Sequence, residues 1–84
     1  MLAVMFTQEF YIVFPEGDTQ EVAARLGINA LVDVNGRLLP LPLATNRIIA
    51  FRVERISVQE SRGGSETYHH LELVGAADLS AYVR

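Results

Sequence analysis

The chain of 84 residues contains no cysteine and no lysine. Without cysteine, neither disulfides nor thiol-ligated structural zinc can reinforce the fold, so core packing or association must do so. That absence fits a cytoplasmic location. Without lysine, Schiff-base chemistry and the phosphate-binding lysine of a P-loop are excluded. All seven basic side chains are arginine.

Charge of one sign is also scarce. Residues 1–50 hold three arginines against five acids, residues 51–84 four against five, and the net charge is −3. Neither half is the basic tract expected of a non-specific nucleic-acid binder. No apolar run is long enough to span a bilayer: the N-terminal Met-Leu-Ala-Val-Met-Phe has no basic leader and is interrupted by Thr7, Gln8 and Glu9. It is expected to be a buried first strand rather than a signal peptide or a membrane helix. There is no G-x-G-x-x-G, P-loop or G-x-S-x-G pattern, no internal repeat and no linker-like stretch. One compact domain over residues 1–84 is expected, with no cofactor.

What is present is apolar. Half of the residues are hydrophobic and a fifth charged, enough to offset chain entropy. A domain of this size has little interior, so surplus apolar side chains stay exposed or meet a partner. Self-association or a protein partner is therefore expected.

Residues 2–6 and 10–14 are short runs of β-formers, closed by Pro15 and Gly17. Asp18 followed by Glu21, with Val22 and Leu26 at i,i+4 spacing and Gly27 as a stop, predicts one short covering helix over residues 19–26. Asn35-Gly36 between residues 31–34 and 37–39 predicts a hairpin with a two-residue turn, which requires positive φ at both positions. The alternate prolines of Pro40-Leu41-Pro42-Leu43 withhold amides, so this stretch is extended, edge-like or a crossover.

Residues 48–61 form the longest β-like segment, returning over residues 67–74 after Gly63-Gly64. A two-residue Gly-Gly loop places Val58 opposite His69, Ile56 opposite Leu71 and Arg55 opposite Glu72. Apolar positions change parity between Val53 and Ile56, and a β-bulge near Glu54-Arg55 restores the phase while adding twist. Asp78 is a candidate cap for a C-terminal helical turn through Tyr82. The expected architecture is α+β but mainly β: a small, highly twisted antiparallel sheet or open barrel of five to six strands, with one short covering helix and a C-terminal helical turn.

Candidate chemistry is sparse. His69 and His70 are adjacent in a strand and point to opposite faces, so they do not share a metal ion. His70 with Glu72, two apart on one face, supplies only two ligands, and no metal site is expected. Four serines and two histidines occur without the spacing of a known nucleophile motif, and no catalytic residue is assigned.

Two surfaces remain. Leu38, Leu39, Pro40, Leu41, Pro42 and Leu43 form a proline-interrupted apolar stretch, which suits burial against a second copy or another subunit. The expected function is a non-catalytic protein-interaction or subunit module. The alternative is a β module for single-stranded nucleic acid using Arg47, Arg52, Arg55 and Tyr68. The interspersed Glu54, Glu60, Glu66 and Glu72 disfavour it.

Overall fold

The computed structural model describes residues 6–83. The elements follow in the order β1 (Thr7–Val13), β2 (Thr19–Val22), β3 (Leu31–Val32), β4 (Ala50–Ser61), β5 (Gly64–Val74), α1 (Ala76–Leu79) and a 3₁₀ turn (Ser80–Tyr82). The strands form one sheet, ordered β2-β1-β5-β4-β3 and curled into a half-barrel. The mainly β architecture with five strands and a C-terminal helical turn is the one expected. A first strand over residues 2–6 falls almost wholly outside the described residues.

One pairing departs from an all-antiparallel sheet. β5 lies between β4 and β1, antiparallel to the former and parallel to the latter. On its other edge β1 pairs with β2, which turns back at Pro15-Glu16-Gly17, where Gly17 has φ +106° and the Phe14 amide donates to the Asp18 carbonyl. The remaining chain then crosses the inner face of the sheet to reach β4.

The covering helix expected over residues 19–26 is absent. Thr19 to Val22 instead form β2, pairing Val13 with Thr19 and Phe10 with Val22. An eight-residue helix is marginal in water, and a strand closed by a tight turn gains ladder hydrogen bonds at once. Leu26 still reaches the core, packing with Val22 and Ala30 against Ile12, Phe14, Val32, Val53 and Leu71. Coverage is thus supplied by irregular chain.

The bulge stands where the parity change demanded it: Val53 faces Leu71, Arg55 faces His70, and Glu54 is the extra residue. The β4-β5 turn is Arg62-Gly63, not Gly63-Gly64, since Ser61 faces Gly64. The register therefore slides by two residues. Val58 faces Thr67 and Ile56 faces His69, and each side chain keeps its expected face because a slip of two preserves parity. Gly64 begins the strand paired with Thr7 of β1, and a Cβ there would overlap the Thr7 carbonyl.

A second core of Leu31, Leu43, Ala50, Val74 and Leu79 closes the C-terminal end, with Leu39, Tyr82 and Val83 packed on it. Leu79, fully buried like Ala50, comes from α1, which starts at Ala76 after Gly75. Asp78 lies in the first turn of that helix and is not its cap.

Candidate functional site

Residues 38–43 form a strap across the second core. Val32 bridges Leu38, the Leu39 amide donates to the Leu31 carbonyl at 3.0 Å, and the Leu43 amide donates to the Tyr82 carbonyl at 2.8 Å. These bonds tie both ends down. Leu39 is half-buried and Leu43 is only 4% exposed, so Leu43 is core and does not belong to a surface. The bridge between Leu43 and Val83 holds this end of the strap against the second core.

The middle of the strap behaves oppositely. Leu38 is 59% exposed and Leu41 58%, and Pro40 and Pro42 are exposed beside them. Leu38 also walls an apolar groove of about 320 Å³, shared with Val22, Ala24 and Leu26. Ile48 and Ile49, further along the same connection, are exposed as well. Of the six residues expected to form the surface, four are therefore outward and two are anchors.

The outer face of the sheet carries most of the polar side chains. Tyr11 and Tyr68 stack across the parallel pair, centroids 5.2 Å apart. Tyr68 donates to Glu66 at 3.0 Å, and that hydrogen bond, together with burial, raises its pKa. Arg52 binds Glu72 through Nε and Nη2, both at 2.8 Å, and its Nη1 lies 3.4 Å from the Tyr82 hydroxyl. Glu72 was expected to meet Arg55; the two-residue slide at the turn and the one-residue bulge together put Arg52 opposite it instead. Of the four residues of a nucleic-acid surface, Arg52, Arg55 and Tyr68 lie on this ladder, but Arg52 is neutralised and Tyr68 is engaged by a carboxylate. Arg47 sits apart in the loop before β4, its amide donating to Thr45 Oγ1.

The two histidines diverge as strand geometry requires. His69 is fully buried: the Leu26 amide donates to its Nε2 at 2.9 Å and its Nδ1 lies 2.7 Å from the Tyr11 carbonyl oxygen. One nitrogen accepts and the other donates, the pattern of a neutral imidazole carrying its proton on Nδ1. His69 is a structural cross-brace between the sheet and residues 23–27. His70 faces outward, with Nε2 2.9 Å from Ser57 Oγ. A hydroxyl nucleophile needs a third group to orient its base, and among the described residues nothing hydrogen-bonds His70 Nδ1. Burial and then the Arg55 charge lower the His70 pKa.

Among the described residues no three His, Cys, Asp or Glu side chains are grouped to hold a metal ion, and no helix is long and apolar enough to cross a membrane. The feature that sequence reasoning missed is the Tyr11–Tyr68 stack, which depends on a parallel pairing that local patterns do not encode.

A family model described as uncharacterised Treponema protein matches residues 6–82. No curated protein and no solved structure matches the chain.

Proposed function

We propose that this chain, which belongs to the family described as uncharacterised Treponema protein, is a non-catalytic interaction module that binds another protein through the crest of its strap, Leu38, Pro40, Leu41 and Pro42. One observation carries the reading. Leu38 and Leu41 remain more than half exposed although Leu39 and Leu43 between and beyond them are packed.

A strap anchored at both ends presents its apolar crest with little ordering left to do. Prolines fix φ in advance, and a preorganised surface loses less entropy on binding. Full burial of a leucine side chain is worth roughly 1.5–3 kcal/mol, so the two leucines can serve as the central anchors of an interface. The groove beside Leu38 offers a recess into which an apolar side chain of the partner fits.

Leu41→Asp tests this reading. The variant should keep its β-sheet circular dichroism and thermal midpoint, because the side chain it replaces faces water. It should lose the protein that the wild-type chain retains from native extract after nuclease treatment and a moderate-salt wash. Equal recovery by both forms, or unfolding of the variant, refutes the crest. Recovery that vanishes with nuclease assigns the binding to nucleic acid instead.

A further inference from the structure

β4 is twelve residues long, yet its outer edge is paired only at its start. β3 takes Phe51 and Arg52. Asn29 and Ala30, just before β3, exchange hydrogen bonds with Val53 at 2.8 and 3.0 Å. From Arg55 to Ser61 no strand among the described residues lies beside this edge.

Open edges are ordinarily blunted by proline, lysine, bulges or inward charges. Between Arg55 and Ser61 there is no proline, lysine or bulge, and the only charged side chains are Arg55 and Glu60, near its two ends. The bulge at Glu54 stands just before the stretch, and Glu60 lies one residue from its end. Val58 lies at its centre and is 47% exposed.

We infer that the free edge of β4 pairs antiparallel with the same edge of a second copy, about a two-fold axis at Val58. The surface is distinct from the strap crest, and the inference does not rest on it. The register follows from three constraints. A two-fold axis perpendicular to the sheet keeps the inner faces of the two copies continuous, so opposed residues must have the same parity. An axis at Val58 engages the whole free stretch, pairing Arg55 with Ser61 and Ser57 with Gln59 of the other copy. Axes at Ser57 or Gln59 leave part of the edge unpaired.

Charge separates the registers further. The axis at Ser57 sets Glu54 against Glu60 of the second copy, and like charges directly opposed are destabilising. The axis at Val58 sets Glu54 against Arg62 of the second copy, once at each end of the ladder. Val58 then packs on its own counterpart, and Ile56 meets the aliphatic stem of Glu60, whose carboxylate stays in water. The edge is complementary to itself in hydrogen bonds, in its central apolar contact and in its terminal charges.

Sedimentation of the full chain from micromolar to millimolar concentration tests the inference. A reversible monomer–dimer equilibrium is expected. Val58→Lys, which places two ammonium groups on the axis, should raise the dissociation constant at least ten-fold while leaving the circular dichroism unchanged. Should that variant unfold, the turn substitution Arg62→Glu decides: it converts two attractions into two repulsions and should weaken the dimer about ten-fold. Adding Glu54→Arg to Arg62→Glu restores both pairs with the charges exchanged, and the dimer should return. A chain that stays monomeric at millimolar concentration overturns the inference. So does a dimer indifferent to Arg62→Glu, a double variant that fails to recover, or a dimer abolished by Leu41→Asp.

Discussion

His69 and His70 show how far one position along a strand changes a side chain's work. Thr67, His69 and Leu71 of β5 face the core, and the two nitrogens of His69 satisfy a loop amide and a strand carbonyl. His70 sits over the outer face between Val13 and Arg55. Burial disfavours its imidazolium, Arg55 adds repulsion and Glu54 opposes; the net effect is a pKa below the ordinary 6.5. The sign follows from linkage. The unfolded chain takes up the proton first, so the stability linked to this group is complete above the ordinary value. It is lost as pH falls through that value toward the lower folded one. The thermal midpoint should decline below pH 7 more steeply in the wild type than in His70→Asn. Arg55→Ala should move the His70 titration, followed by its ring proton resonances, upward. An unchanged titration would show that burial alone sets it.

At the scale of elements, strands and their turns were legible wherever a period of two ran long enough, and illegible where four residues chose between helix and strand. The bulge at Glu54 was readable because apolar parity changes across it, and a parity change in a buried strand has few other remedies. β2 was not readable: Asp18, Glu21, Val22 and Leu26 satisfy a helical pattern, and only pairing with β1, a tertiary fact, overrides it. The Asn35-Gly36 hairpin lies between. The hairpin is there, with the Asp33 amide donating to the Arg37 carbonyl and Asp33 Oδ1 accepting from the Asn35 and Arg37 amides. Its loop is one residue longer than expected, since the Gly36 amide bonds back to Asp33 and only Gly36 has positive φ, +80°. Those angles suit a three-residue loop closed by a glycine bulge. Gly36→Ala is therefore strained, and its Cβ would also overlap Gln20 Nε2 and Ile12 Cδ1, where Gln20 already donates to the Asn35 carbonyl. The substitution should lower stability by about 1–3 kcal/mol, read as a reduced urea midpoint at unchanged slope. Asn35→Ala should cost less, whereas a two-residue turn with positive φ at both positions would make the two substitutions comparable.

For the molecule as a whole, the consequential fact is its length. The radius of gyration is 15.2 Å and the extents are 55 × 23 × 18 Å, against about 12 Å expected for a compact domain of this many residues. Both core clusters lie in one part of the sheet, where residues 23–49 cover the inner face. The β4-β5 hairpin runs on past them to Arg62-Gly63 with an uncovered edge. Composition pointed to surplus apolar surface, and the exposed Leu38, Leu41 and Val58 bear that out; the place of each depended on which strands become neighbours, which no local pattern states. Local opening follows the same gradient, because amides open most readily where few buried contacts hold them. In dilute solution, hydrogen exchange along β4 should be slowest at Val53, which is fully buried and whose amide donates to the Ala30 carbonyl, and should quicken toward Ser61. At high concentration, pairing of the free edge should protect alternate amides between Arg55 and Ser61, since every second backbone group points outward from an edge strand. Protection that rises on alternate residues with concentration would follow the two-fold ladder amide by amide. A uniform rise along β4, or none, would place self-association elsewhere on the molecule or nowhere.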